Sequence, residues 1–142
     1  MKFLVAVDGS PASLRAVNLA IKFATGRQPA SMILLNVQNP AMLGLTEGAG
    51  VMPAAWIEEE EERAGEEVLK GPVAACQAAG VQFTARSERG APAAMIDQTA
   101  REENVDHIIM GTRGLSSIRG LLVGSVATQV LHLVDVPVTL VK

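Results

Sequence analysis

Short apolar runs alternate with amphipathic stretches along the whole chain. Phe3-Leu4-Val5-Ala6-Val7 is continuously apolar, and Met32-Ile33-Leu34-Leu35-Asn36-Val37 is nearly so. Such runs suit strands buried on both faces of a parallel sheet. Val81 to Arg86 alternates and predicts a third strand, and His107-Ile108-Ile109-Met110 a fourth. Val136 to Val141 closes the chain as a fifth, with Pro137 at its start, where a proline is tolerated. Between these runs the period changes. Leu14, Val17, Ile21 and Ala24 recur at helical spacing and predict a first helix to about Thr25. Ser10 suits its N-cap, Pro11 its first turn and Gly26 its end. Trp56 to Ala79 predicts a second helix, which Gly71-Pro72 is expected to kink or split. Gly90-Ala91-Pro92 opens a third, carrying Met95, Ile96, Thr99 and Ala100, and Val126, Val130, Leu131 and Leu133 mark a last one. An irregular stretch from about Gln38 to Ala55 holds Pro40, Gly44, Gly48, Gly50 and Pro53. Loops of this length inside a compact domain are commonly functional.

Strands alternating with helices predict βαβ units, right-handed crossovers and a doubly wound α/β sheet with helices on both faces. The 142 residues suit a single domain, 1–142, and no repeat or linker interrupts them. With 49% hydrophobic residues, 3% aromatic and no Tyr, the core must be aliphatic. A net charge of −3 gives no sign of a basic nucleic-acid surface. One cysteine, Cys76, rules out an internal disulfide, suits a reducing compartment and reads as a helix-packing residue. Asp8 interrupts the first apolar run too early for a signal peptide or a membrane span, so the expectation is a cytoplasmic protein.

The candidate chemistry gathers where strands end, since ligands of doubly wound sheets sit beyond the strands' carboxyl ends. Gly111 and Gly114, then Gly124-Ser125, form G-x-x-G-x9-G-S between the fourth strand and the last helix. A helix start offers unpaired N–H groups and the positive end of the helix dipole to a phosphate, and glycines let the backbone approach it. Arg113 and Arg119 lie in the same loop as phosphate partners or as plain exposed arginines, with Ser116 and Ser117 beside them. Asp8 reads either as a turn-forming residue or as a ribose or metal contact. Neither a Walker A loop nor the dinucleotide G-x-G-x-x-G after the first strand is present. Two histidines, His107 and His132, and one cysteine make no zinc set, and the G-x-S-x-G elbow is absent. Glu58 to Glu62 reads as a solvated helix face. Leu115, Ile118, Leu121 and Leu122 make the glycine loop apolar, either for packing on the sheet edge or for a partner.

On these residues the chain resembles the ATP-binding branch of the universal stress protein family. The likeness runs through Val5-Ala6-Val7-Asp8-Gly9-Ser10, the Gly90-Ala91-Pro92 turn, Val105 to Gly114, Gly124-Ser125-Val126-Ala127 and Val136-Pro137-Val138. It implies a Rossmann-like sheet of order 3-2-1-4-5 and a homodimer paired through the C-terminal strand. It implies phosphates held by Gly111, Gly114, Gly124 and Ser125, with Arg113 and Val126 alongside. Asp8 would lie near the ribose and phosphates and is the one candidate metal ligand; Ala6, Val7 and Val37 would border the adenine. The implied cofactors are ATP with Mg2+ or Mn2+, and the implied role is a nucleotide-dependent sensor or regulator of the stress response, acting on an unknown client. A slow ATPase or phosphoryl-transfer enzyme and a structural dimer without nucleotide are the alternatives, as is a preference for AMP or cyclic AMP. Two departures stand out. Asn36 takes the place of a histidine found in many members, and the region from Pro40 to Trp56 follows no family pattern.

Overall fold

The computed structural model describes residues 1–26, 29–39, 53–114 and 122–142. Five strands, β1 (Lys2–Ala6), β2 (Ser31–Gln38), β3 (Gln82–Arg89), β4 (His107–Gly111) and β5 (Val138–Val141), form one sheet. Its order is β3-β2-β1-β4-β5, as the resemblance implies, and every pairing is parallel. The described helices are α1 (Pro11–Thr25), α2 (Ala54–Ala79), α3 (Pro92–Glu102) and α4 (Ser125–Leu133).

β1 lies in the middle, and its side chains alternate between two cores. Phe3, Val5 and Val7 pack with α1 and α2 residues such as Val17, Ala20, Leu69 and Cys76. Leu4 packs on the other face with Ile96 and Ala100 of α3 and Ala127 and Val130 of α4. A strand alternates its side chains with a period of two, so covering both faces demands an unbroken apolar run. Among the described residues, no helix is long and apolar enough to cross a membrane.

The first helix starts and stops where its residues say it should. Ser10 Oγ accepts the Ser13 N–H at 3.2 Å, Pro11 occupies the first turn, and Gly26 is the C-cap. Of the kink or split expected at Gly71-Pro72, the split does not occur. α2 runs for 26 residues with Pro72 inside it. Pro72 has no N–H for the carbonyl four residues back, but its ring is fully buried in the core. Tertiary packing along so long a helix offsets the missing bond. β5 begins at Val138, later than the apolar run suggests. Pro137 precedes it and joins through its carbonyl alone, accepting the Ile108 N–H at 2.9 Å.

Far from the strand exits, an ion-pair group ties three elements. Lys2 Nζ donates to the Glu103 carbonyl at 2.7 Å and lies 3.3 Å from its carboxylate, which Arg86 also engages. The hydrogen bonds from Lys2 and Arg86, with the charge of Arg86, hold the Glu103 carboxyl below its usual range. A depressed folded value means that this stabilisation is present above the unfolded pKa and is lost as pH falls through the folded one. Glu103→Gln is therefore expected to be less stable at neutral pH and to lose less stability on acidification. The effect is modest, since the group is partly exposed. Urea unfolding of both proteins at neutral and acid pH reads it, and identical acid limbs would refute the assignment.

Candidate functional site

The exit of β1 turns sharply. Val7 still donates its N–H to the Leu35 carbonyl at 2.8 Å, and Gly9 then adopts φ +83, a left-handed conformation that glycine reaches without strain. Asp8 Oδ1 accepts the Ser10 N–H at 2.9 Å, so the turn-forming role of Asp8 is real. Its other oxygen remains for a second task. That oxygen faces the exit of β4: a Cβ built on Gly114 would lie 2.5 Å from Asp8 Oδ2. A side chain on Gly114 would push the Asp8 carboxylate aside, so glycine keeps that oxygen in place.

The start of α4 closes the same space. Gly124 donates its N–H to the Thr112 carbonyl at 2.6 Å, and a Cβ on Gly124 would lie 3.3 Å from that oxygen. Gly124 is the N-cap of α4 and brings no side chain to cap it. The N–H groups of Ser125, Val126 and Ala127 therefore have no acceptor within the helix, and the dipole's positive end lies with them. Asp8, Gly114 and the α4 start, distant in sequence, converge because β1 and β4 are neighbours. Arg113 is exposed beside them.

Gly111 also has a close contact of its own. A Cβ there would meet Ala12 Cβ at 2.9 Å and both Ala12 C and Ser13 N at 3.2 Å. Glycine at this place lets β4 pass beneath the first turn of α1, whatever ligand the loop holds. Arg119, Ser116, Ser117, Leu115, Ile118 and Leu121 lie outside the described residues, as does most of the stretch from Gln38 to Ala55. Leu122 is described and is strongly exposed.

Val37 and Ala6 stand near the ends of β2 and β1. Between them Asn36 does work that sequence reasoning left open. It is buried, donates from Nδ2 to the Val7 carbonyl at 2.8 Å, and accepts from Gln38 Nε2 at 2.7 Å. It thus pins the end of β2 to the exit of β1, one residue before Asp8. The available signal was a single amide in an otherwise apolar strand, since a buried polar group demands partners. α2 presses on the same place: a Cβ on Gly65 would lie 2.0 Å from Ser87 Oγ and 3.2 Å from Asn36 Oδ1.

His107 and Cys76 have structural surroundings. His107 Nε2 shares a hydrogen bond of 2.8 Å with Thr139 Oγ1, joining β4 to β5. Burial pushes the Cys76 thiol up to about 11, which leaves it protonated and unreactive. Among the described residues, no three His, Cys, Asp or Glu side chains gather to hold a metal. Glu61 departs from the solvated face expected of Glu58 to Glu62 because it is buried. It continues the inward stripe of Gly65, Leu69, Pro72 and Cys76, and this spacing of three and four was legible in the sequence.

Comparison with known proteins agrees with this fold. A sequence model of the universal stress protein family matches residues 1–142. Universal stress protein YxiE of Bacillus subtilis is 32% identical over 146 aligned positions, covering 99% of this chain and 98% of its own. The solved structure of protein MJ0577 superposes with a TM-score of 0.83 at 25% identity, covering 99% of this chain and 94% of its own. A universal stress protein solved in complex with cAMP superposes with a TM-score of 0.71 at 26% identity, covering 100% and 96%.

Proposed function

This chain belongs to the universal stress protein family, and from that premise we propose that it binds an adenine nucleotide, ATP first, at the exits of β1 and β4. One observation carries the reading: Asp8 Oδ2 and Gly114 meet in front of a helix start that no side chain caps. Phosphate oxygens accept from the N–H groups of Ser125, Val126 and Ala127, with the Ser125 hydroxyl beside them. Gly114 and Gly124 leave the room, and Arg113 supplies a cation from the loop. Gly111 contributes by keeping the strand exit close under α1. Ala6, Val7 and Val37 border the adenine. Asp8 Oδ2 accepts from a ribose hydroxyl or reaches a metal ion.

The site fits the nucleotide better than it fits an ion alone. The cradle is one that Cβ atoms would fill, and its donors suit an anion. For Mg2+ or Mn2+ the described residues offer Asp8 alone, with one oxygen already engaged. Such an ion arrives with the phosphates and keeps most of its waters. The cAMP complex of a relative supports the nucleotide class. A single positioned carboxylate, already tied to a turn, supports binding over turnover, so the role is a sensor or regulator and at most a slow ATPase.

A homodimer through β5 goes with this reading, because β5 is an edge strand of half-buried Val138, Thr139, Leu140 and Val141. A cytoplasmic address also goes with it, supported by the free, buried Cys76 and testable by cell fractionation. The test of function is mass spectrometry of nucleotide released from freshly purified protein, with calorimetric titration of ATP, AMP and cAMP in magnesium. Nucleotide carried through purification, or micromolar ATP affinity, is expected, with only a trace of hydrolysis product. Failure of every nucleotide to bind would end the reading. Sedimentation of the same samples should give a dimer, and a monomer at all concentrations would remove the β5 interface.

A further inference from the structure

At the β3 edge of the sheet, α2 and β3 line an open cavity of about 660 Å3, within the size of ordinary small-molecule sites. We propose that this cavity is a second binding site, for a small aliphatic primary amine in its cationic form, with Glu61 as the receptor. The inference is independent of the nucleotide reading.

Glu61 is the starting point. It is 4% exposed, and neither carboxylate oxygen receives a hydrogen bond. Arg89 Nε approaches Glu61 Oε2 to 2.7 Å, an ion pair at contact distance but off the line that a hydrogen bond requires. Two buried oxygens without a hydrogen bond are costly, the Arg89 ion pair offsets only part of that cost, and an apolar residue on this stripe would avoid it. The packing of α2 therefore does not explain the carboxylate. An incoming donor does.

The surroundings select the donor's chemistry. Glu58, Glu62, Glu66 and Glu88 also line the cavity, so among the described residues five carboxylates, Glu61 included, face two cations, Lys70 and Arg89. The local field favours a cation. Leu69, Val73 and Ala85 supply an apolar wall, which suits an alkyl stem. An ammonium head carries three donors and can serve both Glu61 oxygens at once. A bare metal ion is a poorer match, since no trio of ligating side chains gathers among the described residues. Arg89 already shows that a positive group sits against Glu61. Its side chain is 46% exposed and reaches out to Glu58, so it can swing toward solvent and leave its place to the ligand.

The probe is putrescine, titrated into 15N-labelled protein and followed by NMR, with butanol as the neutral control carrying the same four-carbon chain. Saturable shifts at Gly65, Ser87 and Arg89 are expected with putrescine and not with butanol, weakening as sodium chloride is raised. Glu61→Gln, which keeps shape and removes charge, is expected to weaken binding at least tenfold while its other resonances stay in place. Absence of saturable shifts at those three residues, an equal response to butanol, or full affinity in the variant would each overturn the site. The butanol comparison uses the unaltered protein and stands even if the variant folds poorly. ATP binding, measured on the same samples, is expected to be unchanged by Glu61→Gln.

Discussion

Gly124→Val abolishes nucleotide binding and leaves the domain folded. The backbone permits the change, because Gly124 has φ −76, an ordinary value for any residue. The space does not. The new Cβ would lie 3.3 Å from the Thr112 carbonyl and 3.5 Å from Arg113 Cα, and the two methyl groups project beyond it. The loop cannot simply retreat, since the same Thr112 carbonyl holds the Gly124 N–H. Relief comes from parting the α4 start from the exit of β4, which disperses the donors that would meet the phosphates. Each charge-assisted hydrogen bond is worth about 1.5–3 kcal/mol. Loss of two corresponds to roughly a hundredfold or more in affinity. The core layers around β1 are untouched, so the thermal unfolding curve should remain cooperative. ATP calorimetry on the variant decides the matter, and unchanged affinity would remove the phosphate role from this helix start.

Gly111→Ala should separate the two glycines of the strand exit by their physics. Its Cβ would meet Ala12 Cβ at 2.9 Å and the backbone of Ala12 and Ser13 at 3.2 Å. That first turn is rigid: Ser13 donates its N–H to Ser10 Oγ, and its hydroxyl donates to the Ser10 carbonyl at 2.9 Å. The strand and helix must part, and overpacking of this kind costs about 1–3 kcal/mol. Urea unfolding should show that loss, while the folded fraction still binds nucleotide. A variant of full stability that no longer binds ATP would return Gly111 to the phosphate site.

The two glycines share one motif and differ in what touches them. Their spacing is legible in the chain; their neighbours are not. The same division runs through the rest of the molecule. The apolar run of β1, the Ser10-Pro11 start of α1 and the Gly26 stop were readable because each is a local signal with a local cause. Pro72 misled because a helix-breaking signal is also local, whereas the burial that overrides it comes from the sheet beneath. Glu61 misled because a row of glutamates looks solvated, although its spacing of three and four places it on the inward stripe of Gly65, Leu69, Pro72 and Cys76.

By itself, then, the sequence determined the alternation of strands and helices, the aliphatic core that covers both faces of the sheet, and the glycine-punctuated entry to α4. These follow from side-chain period, propensity and capping, which act over a few residues. Only the tertiary structure decided that Asp8 Oδ2 faces Gly114, that Asn36 pins the exit of β1, and that a carboxylate lines a cavity at the β3 edge. Those contacts depend on strand order and on the depth at which each helix packs, and they join residues whose distance along the chain leaves no local trace.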